Sequence, residues 1–427
     1  MVFSAWIAVL LAVPVLLAGE WLVKKIWWLN RFNIPAPVAG GLVVALVVLA
    51  VNLYGGGSAV SFRTEVSEMW WTWLVSTEPE WLKAPSKNVN MPFLVAFFAC
   101  IGLNASWSLI KRGSVQVLVF LGLTTFWTVM QNLVGAGLAE LLGESRLLGL
   151  MCGSVTMTGG HGTMMGFAPE FETAGLAGAA VIGAAAATFG LVSGGLLGGP
   201  VGGALIRGKG LSSTEPDWQP SVSQSSHATG IVSDVLKLSK RGSGFWRHLL
   251  AVLFCVKVGA WISLGVQKTG IVFPVYMGAL LLGVVVRNVA ELINKDIIRT
   301  RTIKRISGVA LGIFLSVAMM SLNLIELGAV ARSMLLILAV QVALIAVFAR
   351  FVTFRVMGGD YDAAVMAAGH CGFGLGAMPN AIANMKTLTE RYGPAERAFL
   401  VVPITGTFLI DLLNAINIMV FLNLMGR

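Results

Sequence analysis

Between residues 156 and 163 the chain sets Thr156, Thr158 and Thr163 among Gly159, Gly160 and Gly162, with His161 between them. Hydroxyls both donate and accept hydrogen bonds. Glycines leave backbone N–H groups open to an anion, as at an exposed half-helix N-terminus. Such a cluster can hold a carboxylate, and its hydroxyl oxygens can face a sodium ion. A second stretch of this kind is Gly369 to Met385, GHCGFGLGAMPNAIANM, where Gly372, Phe373, Gly374 and Gly376 precede Asn380 and Asn384. In a helix interior glycine costs about 1 kcal/mol and proline about 3 kcal/mol relative to alanine, so a continuous helix is not expected there. The competing reading of the first stretch is a small-residue packing face whose threonines bond their own helix.

Asp411 lies in the middle of the apolar run LVVPITGTFLIDLLNAINIMV. A carboxylate at membrane depth is costly and marks a site by default. Thr407, Asp411 and Asn414 follow at spacings of four and three, hence on one helical face. That stripe could hold an ammonium group or a sodium ion; alternatively Asp411 pairs with Lys257, the only lysine deep inside an apolar span. His161 and His370 take matching places in the two glycine-rich stretches. Scaffolding of those stretches is the expected role and proton handling the second, because no C-x-x-C or H-E-x-x-H spacing supplies a metal set. Cys100, Cys152, Cys255 and Cys371 read as buried thiols. The ladder Gly190, Gly194, Gly198, Gly202 reads as close helix packing.

These residues must be held by membrane helices. Of 427 residues 56% are hydrophobic and 12% charged, against about 25% charged in a soluble domain, and the mean hydropathy is +0.83. Taking about 20 residues per crossing, helices are predicted at 2–23, 35–54, 91–110, 114–142 and 174–206, then at 248–267, 271–292, 307–326, 331–354 and 396–424. The interrupted stretches, 149–168 and 362–386, are expected to be re-entrant hairpins, since irregular backbone at membrane depth must line a cavity or be covered by protein. Val2 to Val23 has no basic region before it and Lys24 and Lys25 after it, so a retained helix is expected rather than a cleaved leader. The net charge of +10 resides in short loops, which excludes a basic nucleic-acid-binding domain.

The polar, Ser/Pro-rich tract 207–247 divides the chain into 1–206 and 248–427, with five crossings on each side. An odd number per half inverts the second half relative to the first. Weak echoes recur in the same order: PAPVAGGLVVAL with FPVYMGALLLGV, ACIGLNASWSLI with AMMSLNLIEL, and GSVTMTGGHGT with GHCGFGLGAMPN. With the N-terminus outside, 22 of the 30 Lys and Arg residues fall in inside loops and seven outside. By the positive-inside rule both termini are then outside and the linker is cytoplasmic. The first hairpin enters from outside, the second from the cytoplasm, and their tips meet near the midplane. The outer segment 61–88, with Trp70, Trp71, Trp73 and Trp81, reads as an interfacial anchor.

Taken with PAPVAGGL, FFACIGLNA and AFLVVPITGTFLIDLLNA, the two hairpin motifs make the chain resemble the bacterial sodium/glutamate symporter family over about 35–110, 147–206 and 271–424. The resemblance implies an all-α polytopic inner-membrane protein with about 10 transmembrane helices, two re-entrant hairpins and two inverted five-helix repeats. It implies sodium-coupled import of L-glutamate or a similar anionic amino acid by an elevator-like or related alternating-access motion, in a homodimer. Sodium is then the coupling ion, without an organic cofactor, and the lipid bilayer, not nucleic acid, is the surrounding partner. The expected substrate contacts are Thr156, Thr158, Gly159, Gly160, His161, Gly162, Thr163, Gly372, Phe373, Gly374, Gly376, Asn380 and Asp411. The sodium candidates are Asn104, Asn323, Asn384, Thr405, Thr407, Asp411 and Asn414. Met378 stands where the family commonly has a hydroxyl residue, and the loop 61–88 is longer than expected. Three readings compete with a glutamate symporter: a carrier of another acidic amino acid or dicarboxylate, a passive channel, and a membrane enzyme using a histidine with Asp411. The last finds neither a nucleophile elbow nor a metal motif, and no P-loop supports ATP-driven transport.

Overall fold

Glycines set how closely the helices of this chain approach one another. The computed structural model describes residues 2–54, 60–66, 69–75, 88–106, 114–213, 244–293, 298–322 and 330–425. Asn323, Trp81 and most of the expected linker lie outside the described residues, as does the side chain of Thr407. Among the described residues the regular structure is helical apart from a two-residue parallel pairing of β1 (Val2–Phe3) with β2 (Ser61–Phe62) and an isolated antiparallel bridge between Glu65 and Asn88.

The main helices are α1 (Ala5–Lys25), α2 (Ala36–Tyr54), α3 (Met91–Asn104), α4 (Ser114–Leu141), α5 (Gly160–Thr173), α6 (Ala179–Lys209) and α7 (Gly244–Gln267). There follow α8 (Val275–Ile293), α9 (Thr300–Met320), α10 (Ala331–Phe348), α11 (Tyr361–Phe373), α12 (Met378–Tyr392), α13 (Glu396–Ile404) and α14 (Ile410–Met425). Among the described residues, eight helices are long and apolar enough to cross a membrane. Of the remaining predicted crossings, α3 has 14 residues, and 396–425 is interrupted by a π-helical turn at Thr405–Leu409. Another π turn, Ala349–Thr353, prolongs α10 into Phe354–Val356.

Local chemistry places the ends. Ser4 and Asp360 cap α1 and α11 by accepting from the N–H groups of Ile7 and Ala363, as short polar side chains do at helix starts. Lys24 and Lys25 occupy the last turn of α1, where cations oppose the helix dipole.

The helices assemble in two groups. In the first, α1 packs on α2, α2 on α9, α3 on α8 and α9, and α7 on α8. In the second, α4, α6, α10, α13 and α14 surround two broken segments, 146–173 and 361–392. Helix α5 packs on α9, and the Thr405–Leu409 turn on α3, joining the groups. Within the first group backbones nearly touch: a Cβ on Gly102 would lie 2.1 Å from the Leu280 carbonyl oxygen, and one on Gly283 2.7 Å from that of Ala99. All four cysteines are free and buried.

Candidate functional site

The two broken segments meet at their turns. The first consists of Arg146–Leu150, a π turn at Met151–Val155 that contains non-helical Gly153, a turn at 156–159, and α5. The second is the helical hairpin α11–α12 with its turn at 374–377. Gly160 and Gly376 have φ of +62° and +147°, values that favour glycine. A Cβ on Gly160 would lie 2.6 Å from the Gly376 carbonyl oxygen, so the two turns are in backbone contact there.

One side chain joins both turns. Gln131 of α4, fully buried, accepts from Thr158 Oγ1 through Oε1 at 2.6 Å and donates from Nε2 to the Gly374 carbonyl at 3.1 Å. Its own carbonyl accepts from Gln341 of α10 at 2.7 Å. Next to it, Asn132 Oδ1 accepts from the Ser154 N–H at 2.9 Å, while Asn414 of α14 donates to the Ser154 carbonyl at 3.0 Å. Gly153, at φ −92° and ψ −136°, breaks the helix just before Ser154 and leaves that peptide to be clamped by the two asparagines. Gln131, Asn132 and Ser154 are not among the candidates named from sequence. An amide pair inside an apolar span was the signal for the first two; the pairing with a hairpin peptide was not visible.

Buried polar atoms here without a partner among the described residues include Asn132 Nδ2, Ser154 Oγ, Gln341 Oε1, His370 Nε2, Thr405 Oγ1 and Asn414 Oδ1. Buried polar groups almost always have partners, so unpartnered oxygens on Ser154 and Asn414 are ready to accept a cation or a donor. Asp411 stands one turn before Asn414 and forms neither an ion pair nor a hydrogen bond among the described residues. Lys257 does not neutralise it. The Lys257 ammonium sits 3.6 Å from the Trp73 ring centroid and donates to the Trp73 carbonyl, which corrects the alternative of a Lys257–Asp411 pair.

Other candidates have structural bonds. Thr156 Oγ1 donates to the Met151 carbonyl at 2.7 Å, within its own segment. His161 Nε2 lies 3.1 Å from Thr188 Oγ1 on α6, whose proton already goes to the Ala184 carbonyl; the ring nitrogen is therefore the donor. His370 shares a 2.9 Å hydrogen bond with Thr353, and Phe373 stacks on its ring at 5.3 Å. Asn380 donates to the Leu191 carbonyl at 2.7 Å and accepts from Asn33 at 2.7 Å; Asn384 donates to the Gly194 carbonyl at 2.8 Å. Both asparagines thus fasten α12 to the glycine ladder of α6.

That ladder is a close-packing face. Cβ atoms on Gly190, Gly194 and Gly198 would lie 2.5 Å from the Leu375 carbonyl, 3.0 Å from that of Gly372 and 2.2 Å from Asn384 Nδ2. Gly372 meets Ala381 across the second hairpin, where a Cβ would approach the Ala381 nitrogen to 2.4 Å. Gly159 backs on Thr163, and Gly162 faces Phe97 and Leu311 of the first helix group. Asn104 donates to the Cys100 carbonyl of its own helix at 2.9 Å, and its Oδ1 has no partner among the described residues. Among the described residues no group of three or more His, Cys, Asp or Glu is placed to hold a metal ion together.

A family model described as sodium/glutamate symporter matches residues 1–71 and 76–394. The chain is 38% identical over 416 residues to the sodium/glutamate symporter of Haemophilus influenzae, covering 97% of this chain and 96% of that protein. It is also 38% identical over 412 residues to that of Escherichia coli, covering 96% of this chain and 95% of that protein. No solved structure matches the chain.

Proposed function

The chain belongs to the sodium/glutamate symporter family, and on that premise we propose that it imports glutamate with sodium across a bacterial inner membrane by alternating access. The family is one of transporters, not enzymes. The observation that carries the site is the meeting of the two turns, with Gly160 against the Gly376 carbonyl and Gln131 bonded to both segments.

Segments 146–173 and 361–392 are the two re-entrant hairpins, entering from opposite faces with their tips near the midplane. Crossed packing supports the inverted repeat: α2 of the first half lies on α9 of the second, and α8 of the second on α3 of the first. Likewise α6 braces the second hairpin and α14 the first. The halves 1–206 and 248–427 are joined by a cytoplasmic linker at 207–247, and both termini face outside. The helix group carrying the hairpins moves against the other, in an elevator-like manner, within a homodimer.

The glycine-rich turns receive the substrate carboxylates through backbone N–H donors, with the Thr163 hydroxyl as a further donor; the Thr158 hydroxyl proton is engaged by Gln131. Asp411 supplies the negative charge for the substrate ammonium group or for sodium. Sodium takes oxygen ligands, as hard cations do, from Asn414 Oδ1 and Ser154 Oγ, with Thr405 close in sequence to Asp411. Asn380, Asn384 and His161 hold the hairpins in place, for their polar atoms are engaged with α6 and its neighbours. No organic cofactor is required.

Purified protein tested against a panel of acidic amino acids, with and without sodium, checks this reading. A ligand of the folded state stabilises it by RT ln(1 + [L]/Kd). Glutamate should raise the melting temperature only when sodium is present. Stabilisation by glutamate that is equal in potassium, or none by any acidic amino acid, contradicts it.

A further inference from the structure

We propose that the protein carries a site for the phosphodiester headgroup of an anionic phospholipid between the C-terminal ends of α6 and α10. A cavity of about 250 Å³ lies there, lined by Ala204, Gly208, Lys209, Arg350, Phe354 and Arg355, among others. Three lining residues are cationic and none is acidic. None of the three cations forms an ion pair among the described residues.

Aromatic rings and backbone hold the cations in this corner. Lys209 Nζ lies 5.4 Å from the Phe354 ring centroid, and the Arg350 and Arg355 guanidinium carbons lie 5.8 and 5.5 Å from that of Phe351. Arg355 also donates to the Phe351 carbonyl at 3.0 Å. Both contributing helices end here after long apolar spans, Ala179–Lys209 and Ala331–Val356, so the cavity sits at a membrane–water boundary. The Lys and Arg count assigns that boundary to the cytoplasmic leaflet, where basic pockets between spanning helices take anionic headgroups.

The surface beside the cavity selects a lipid over free phosphate. Val347, Phe351, Val352 and Val356 are exposed on α10 and its extension. A headgroup seated on the three cations would lay its acyl chains along this apolar strip. Phosphatidylglycerol supplies that combination of one negative charge and two chains. Because α6 also packs on both hairpins, a lipid here would be bound to the helix group that carries the transport site. The inference depends on the chain being membrane-embedded and not on which solute it transports.

Full-length protein in a neutral detergent is titrated with short-chain phosphatidylglycerol, with phosphatidylcholine of the same chains, and with inorganic phosphate, following thermal unfolding. Phosphatidylglycerol should raise the midpoint saturably, by about 2 °C or more, while phosphatidylcholine and phosphate should not. Each charge removed by Lys209→Gln, Arg350→Gln or Arg355→Gln should weaken the effect roughly fivefold. Native mass spectrometry of Arg355→Gln, counting retained phosphatidylglycerol against wild type, gives the same reading if the variants unfold too readily for the thermal assay. Equal responses to both lipids, a response to phosphate alone matching that to phosphatidylglycerol, or an undiminished response in the charge variants overturns the proposal.

Discussion

At the scale of residues, the site divides into side chains that hold the hairpins and side chains with unpartnered oxygens. Gln131 belongs to the first kind, and removing it breaks the link between both turns without opening a charge. A net hydrogen bond contributes about 1 kcal/mol, and an orphaned buried partner costs about 1–3 kcal/mol. Gln131→Leu should therefore destabilise the protein by about 2–4 kcal/mol and lower maximal uptake, leaving half-saturating sodium nearly unchanged; a normal uptake rate would refute its role in joining the tips. Ser154 is of the second kind, its hydroxyl making no hydrogen bond among the described residues. Ser154→Ala should raise half-saturating sodium roughly tenfold, as loss of a charge-assisted contact does, while Asp411→Asn should abolish uptake in a folded protein. An unaltered sodium requirement in Ser154→Ala would remove Ser154 from the ion site.

Elements were more legible in the sequence than the bonds between them. Eight of the ten predicted crossings correspond, among the described residues, to helices long and apolar enough to span a membrane, because hydrophobic length is written locally; 91–110 and 396–424 are shorter or interrupted. The every-fourth-residue glycine ladder on α6 is legible as a packing face, and the second hairpin lies against it. Less legible were Asn380, expected as a substrate contact, and Asn384, a sodium candidate; their amides donate to carbonyls of α6, about 190 residues earlier in sequence. Nor could spacing reveal that Ser154 would be clamped by Asn132 and Asn414, since that contact follows from how three separate segments pack. Gly198→Ala tests the ladder: its Cβ would come within 2.2 Å of Asn384 Nδ2 and 2.5 Å of the Ala368 carbonyl. Overpacking of this kind costs about 1–3 kcal/mol, so thermal unfolding should occur earlier, whereas Gly199→Ala, with open space around it, should change little.

For the whole molecule, two helix groups share one chain, and the hairpins belong to the group whose other helices surround them. Sequence echoes and loop charge point to two opposed halves, the arrangement proposed above, and α2 packs on α9 as α8 packs on α3. Hairpin turns that touch, together with a carboxylate and oxygens that have no partner among the described residues, suit the proposed carrier that closes around a zwitterionic anion and a cation. Uptake of labelled glutamate by protein reconstituted in vesicles tests this most directly. An inward sodium gradient should drive accumulation above the external concentration, and collapse of that gradient should release it. Uptake that proceeds equally when potassium replaces sodium would contradict the account.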